Sequence, residues 1–168
     1  MPAALEATLQ RTSDIASGIQ RYRDMEAFTV IGRGFNYATA FELALKLKEL
    51  TYTQAIAYSS ADFRHGPVAT IGKGSPVILM MPGGGAYADL YELALDLRQR
   101  EADLLVISDV PEALGLAATP LPLPATIPEW LSPLTTIIPG QIFALQLTLA
   151  RGLNPDAPRG LRKVTRTL

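Results

Sequence analysis

The feature that most constrains this chain is an alternation. Runs that are almost continuously apolar, "AFTVIG" at 27–32, "SPVILMMPGGG" at 75–85 up to its glycine turn, and "DLLVISD" at 103–109, are separated by segments with helical character. A strand with one wet face alternates apolar and polar residues, whereas a strand covered on both faces is apolar throughout. Strands of the second kind, interleaved with helices, make a parallel sheet with helices on both sides. The expected fold class is therefore α/β, a three-layer α/β/α sandwich of four or five parallel strands.

The remaining segments fit that frame. Residues 3–23 read as a polar amphipathic helix, and "YATAFELALKLKEL" (37–50) as a strong helix rich in Ala, Leu, Lys and Glu. "QAIAYSS" (54–60) is a short strand and "AYADLYELALDLRQRE" (86–101) a further helix. Prolines force "TPLPLPAT" (119–126) to be extended. Residues 128–152 form a long apolar helix that Pro139-Gly140 is expected to bend or break. Its stretch 131–149, with Ile137, Ile138, Ile142, Phe143 and Leu145, offers more apolar surface than one small sheet covers, and a dimer is expected.

Composition excludes several function classes. The net charge of −1 gives no bulk electrostatic case for nucleic acid or an anionic membrane. Zero cysteines and a single histidine rule out thiolate sites and make zinc untenable, so no metal or other cofactor is expected. The same lack of cysteine fits a reducing, cytoplasmic compartment. No apolar stretch is expected to span a membrane, and "MPAALEATLQ" lacks the pattern of a secretory signal.

In open parallel sheets ligands bind beyond the carboxyl ends of the strands. Three turns therefore matter: Gly32-Arg33-Gly34, Tyr58 to Pro67, and Pro82 to Gly85. "GRGFN" lacks the third glycine of a dinucleotide fingerprint. "PGGG" opening a helix offers backbone N–H groups to an anion, or is a plain strand-to-helix turn. In the helix 37–50, Ala40, Leu43, Ala44 and Leu47 share one face, while Glu42, Lys46 and Glu49 form a stripe on the other. That stripe reads either as a solvated face with an i,i+4 pair or as the seat of a general base, Glu49. Ser59 and Ser60 read first as helix caps. His65, the sole imidazole, stands between Arg64 and a stiff Gly66-Pro67 pair.

The pieces "GRG", "ELALKLKE", "RHGPVA" and the tail "NPDAPRGLRKVTRT" occur in an order that resembles the SIS (sugar isomerase) domain, in the form found at the C-terminal end of the glucosamine-6-phosphate synthase family. The resemblance covers residues 27–168 and implies a flavodoxin-like parallel sheet of about five strands. It divides the chain into a lead-in at 1–26, the SIS domain at 27–152 and a tail at 153–168 folded near the active site. It implies aldose–ketose chemistry on 6-phosphorylated hexoses, with ammonia added or removed at C2 in several members. Glu49 then falls on the acid/base glutamate that moves a proton between C1 and C2. His65 falls on the ring-opening histidine, which in some members reaches a neighbouring subunit's site, and Lys163 on a tail lysine able to form a Schiff base with the open ketose. Lys46, Arg33, Ser59, Ser60, Gly83 and Gly84 are the expected substrate-binding residues.

The family pairs two SIS domains, and the Ser/Thr-rich phosphate loops of the first are missing here. The chain is thus expected to be the C-terminal half of a larger isomerase or a subunit needing a partner, either a second copy or another SIS domain. The alternative is a non-catalytic module that binds a phosphosugar as a sensor.

Overall fold

Five apolar segments lie side by side as strands. The structure, a computed structural model, describes residues 1–11, 15–124 and 127–161. The strands are β1 (Ala27–Gly32), β2 (Gln54–Ser59), β3 (Pro76–Met80), β4 (Asp103–Ser108) and β5 (Thr119–Pro122). Every pairing is parallel, in the order β2-β1-β3-β4-β5. This is the expected flavodoxin-like sheet, with the order reversing between β1 and β3. The edge strand β5 carries Pro120 and Pro122, which an edge tolerates because one side needs no ladder hydrogen bonds.

The helices are α1 (Pro2–Arg11), α2 (Ile15–Gly18), α3 (Asn36–Thr51), α4 (Ser60–Arg64), α5 (Tyr87–Gln99), α6 (Pro111–Leu114) and α7 (Ser132–Ala150). They cover the sheet on both faces. On one face Phe28, Val30, Ile78, Met80, Leu105 and Ile107 pack with Leu43 and Leu47 of α3 and Phe143 and Leu147 of α7. On the other, Ile31, Val77, Leu79, Leu104 and Val106 pack with Phe63 of α4 and Leu90, Leu93 and Leu97 of α5. Within β3 the residues alternate between the two cores, the period-two signature of a strand buried on both sides. Ala40, Leu43, Ala44 and Leu47, the face read from the helical period, are all buried.

Three expectations about the long apolar helix need correction. It runs unbroken from Ser132 to Ala150 with Pro139 inside it. Pro139 and Gly140 are both buried, so packing against α3 holds the turn despite the missing N–H. A Cβ on Gly140 would lie 2.8 Å from Leu43 Cδ2, which shows how closely the two helices approach. Phe143 is a core residue, edge-on to Tyr22 and Phe28 at 5.3 and 5.9 Å, and not part of the apolar surface. The segment Glu129–Ala150 also meets the length and composition of a membrane span, contrary to expectation. Its buried residues pack into the first core.

The lead-in is not one helix through residue 23. Described residues show α1, then α2 and a 3₁₀ turn at Ile19–Tyr22. Ile15, Ile19 and Tyr22 enter the first core. Tyr22 donates its hydroxyl to Asp103 Oδ1 at 3.0 Å and meets Thr119 Oγ1 at 2.6 Å. Arg21 pairs with the same buried carboxylate. Burial is the main cause that pushes the Tyr22 phenol well above its ordinary range.

Candidate functional site

Local chemistry explains how each candidate side chain is held. The stripe on α3 is present as read: Lys46 Nζ lies 2.7 Å from Glu49 Oε2 and 3.8 Å from Glu42 Oε1. The hydrogen bond to Glu49 is the main cause holding the Lys46 amine above the usual lysine value. Both carboxylates are partly exposed, so the three charges form an open patch rather than a buried pair.

His65 caps the C-terminus of α4 and is exposed, its imidazole without a partner among the described residues. Ser59 caps the N-terminus of the same helix, accepting from the Asp62 N–H at 3.1 Å, and its hydroxyl donates to Asp62 Oδ2 at 2.7 Å. Ser60 is fully buried and donates to Asp89 Oδ2. Both serine hydroxyls are thus engaged within the fold. Arg33 follows β1, half-buried, with no side-chain partner among the described residues.

The glycine turn after β3 is occupied from within. Gly83 N donates to Asp109 Oδ1 at 2.7 Å, and Gly85 N to Glu129 Oε2 at 3.1 Å. Two of the amides that would meet an anion already hold the chain's own carboxylates. Sequence reading missed Asp109 and Glu129, because the partners are 26 and 44 residues away. Lys163 lies outside the described residues.

The topology keeps Glu49 and His65 apart. α3 leaves the carboxyl end of β1 and descends to the start of β2, where Gln54 N donates to Glu26 O. Glu49 lies thirteen residues past Asn36, the first residue of α3. At the α-helical rise that is about 20 Å from the strand carboxyl ends. Glu49 is therefore near the amino ends, not at the carboxyl ends where the turns gather. His65 follows β2 on α4, whose Phe63 packs in the opposite core. The sheet stands between the two residues. The described tail does approach Glu49's end of α3: Arg159 N donates to Tyr52 OH at 2.7 Å, and its guanidinium sits 4.4 Å from that ring centre.

Fold and site together define a doubly wound parallel α/β domain whose polar patch lies on a helix face rather than in a strand-end crevice. The SIS domain family profile matches residues 22–151, and the chain belongs to that family. It is 33% identical over 163 residues to the glutamine–fructose-6-phosphate aminotransferase (isomerizing) of Pyrococcus horikoshii, covering 97% of this chain and 27% of that protein. It is 35% identical over 166 residues to the enzyme of the same name from Gloeobacter violaceus, with the same coverage. The C-terminal domain of glucosamine-fructose-6-phosphate aminotransferase from Francisella tularensis superposes with a TM-score of 0.84 at 26% identity, over 91% of this chain and 43% of that one. The chain thus spans about a quarter of the length of the curated relatives it matches.

Proposed function

We propose that this chain is the C-terminal SIS half of a phosphosugar isomerase, acting on a fructose 6-phosphate or glucosamine 6-phosphate type substrate with amination or deamination at C2. The observation that carries this reading is the likeness over 97% of the chain to isomerizing aminotransferases, combined with Glu49 held beside Lys46 on an open helix face. Glu49 is the acid/base group and His65 opens the ring. With the sheet between them, one site that uses both draws them from two chains. Lys46 holds Glu49, and Arg33, without a side-chain partner among the described residues, is a cation for a partner or substrate. Lys163 supplies the amine for a Schiff base; four residues before it, Arg159 is anchored on Tyr52, three residues from Glu49. This supports a tail, residues 153–168, that forms part of the site, with 1–26 as lead-in and 27–152 as the domain proper. Asp109 and Glu129 at Gly83 and Gly85 fit a site whose sugar phosphate is held elsewhere, by another SIS domain. They equally favour a second reading, a module that binds phosphosugar without turning it over. The absence of cysteine supports a cytoplasmic setting, and the reading itself involves no metal, nucleic acid or membrane.

The test is borohydride trapping with fructose 6-phosphate in the assembled protein, followed by peptide mapping. A sugar adduct on Lys163 is expected. Adducts scattered over exposed lysines such as Lys48 and Lys73, with none on Lys163, reject the catalytic reading.

Pairing follows from the helical layer. α3 and α7 run side by side, tied by Asn36 Nδ2 to Ser132 Oγ at one end and Arg151 Nη1 to Thr51 O at the other. Their outer faces expose Phe41, Leu45, Leu134, Leu145 and Leu149. Such a face is covered by a second copy or another SIS domain. Sedimentation of the isolated chain should therefore show a dimer, and a clean monomer at high micromolar concentration would count against it.

A further inference from the structure

We propose that Asp89 is the positioning residue that aims His65. The proposal rests on the reading of His65 as the ring-opening group. α4 is a five-residue helix, too short to be stable by itself. Its two ends converge on one residue of the first turn of α5. At the start, the fully buried Ser60 hydroxyl donates to Asp89 Oδ2. At the end, Arg64 Nη2 donates to Asp89 O at 2.7 Å and lies 3.5 Å from Asp89 Oδ1.

Between these ties Phe63 is fully buried, with its ring 5.4 Å from that of Tyr58. Asp89 is itself rooted by Leu90 and Leu93, which are buried in the second core. A carboxylate in the first turn of a thirteen-residue helix is favoured by the helix dipole. His65 follows Arg64 directly, and its N–H donates to Asp62 O at 3.2 Å. The chain beyond is set by Gly66, at φ 151°, and Pro67. The backbone that carries the exposed imidazole is thus held on its N-terminal side by one residue of α5, through its carbonyl at Arg64 and its side chain at Ser60 and Arg64. That side chain is not among the acid/base or amine groups of the site.

His65 is the only histidine, so it reports its own placement. In protein labelled with ¹³C-histidine there is one Cε1–H signal to follow. Asp89→Ala should shift and broaden that signal, as the turn that carries the exposed imidazole loosens, while core methyl signals stay in place. Asp89→Asn, which keeps an acceptor for Ser60, should stay near wild type. In the assembled isomerase, Asp89→Ala should lower kcat on ring-closed hexose 6-phosphate by about 10- to 100-fold with KM nearly held. In a His65→Asn background the same substitution should cost nothing further. A loss of equal size in that background makes Asp89 merely structural and overturns the proposal, as does an unchanged imidazole signal in Asp89→Ala. If His65→Asn alone turns over at the wild-type rate, the ring-opening reading falls, and the imidazole signal still decides whether Asp89 aims the turn.

Discussion

Glu49→Gln in the assembled isomerase is expected to cut turnover by about 10²–10⁴-fold while leaving sugar-phosphate binding nearly intact. Gln keeps the shape of the side chain and an oxygen for the Lys46 ammonium, now 2.7 Å from Glu49 Oε2. What it loses is the ability to take a proton from one sugar carbon and return it to the next. The neighbouring carboxylate provides an internal control. Glu42 sits on the same stripe, 3.8 Å from Lys46, and more exposed at 43% against 26%. Glu42→Gln should therefore change turnover little. Equal losses in the two variants would mean that the stripe acts only through its summed charge. Near-wild-type turnover in Glu49→Gln would reject its assignment as the base.

How far this site was legible depends on the range of the interactions that build it. The Glu42-Lys46-Glu49 stripe and the Ser59 cap are made within one or two turns of chain; periodicity exposes the first and residue type the second. The strands show equally well, because burial on two faces leaves "VILM" and "LLVI" with no polar residue to spare. The five-residue α4 and four-residue α6 carry too few residues for a period, so α4 showed only through its serine caps and α6 not at all. The glycine turn was only half legible, for a different reason. Its free amides are a fact of the sequence only until Asp109 and Glu129 fold onto them from distant segments. Pro139 misled because intrinsic propensity is a local cost, and the α3–α7 contact outweighs it. Glu49 and His65 are sixteen residues apart in the chain, yet β2 lies between them and sends them to opposite faces. Closeness in sequence therefore does not bring the two side chains together within one chain.

The glycine of "GRG" leads to the largest expected effect on stability. Gly32 is the last residue of β1, buried, with a register partner at Ser59. A Cβ there would lie 2.2 Å from Asn36 O and 2.7 Å from Asn36 C, both backbone atoms of the first turn of α3. Neither can step aside as a flexible side chain would. The turn itself is tied onward: Asn36 Nδ2 donates to Ser132 Oγ, Ser132 Oγ to Glu129 O, and Glu129 accepts from Gly85 N. Moving α3 away from β1 therefore strains the α7 junction and the glycine turn as well. Gly32→Ala is expected to cost about 3 kcal/mol, at the upper end for overpacking. For a domain of this size that lowers Tm by roughly 6–12 °C. Gly72→Ala is the matched control, since a Cβ there meets nothing within 4 Å and its φ is not positive. It should melt within about 2 °C of wild type. The comparison by calorimetry isolates steric contact from the general effect of adding a methyl group, which in the unfolded chain acts alike at both sites. Equal melting temperatures for the two variants would show that β1 and α3 can separate freely, and that the close approach at Gly32 is not what seats the helix carrying Glu49.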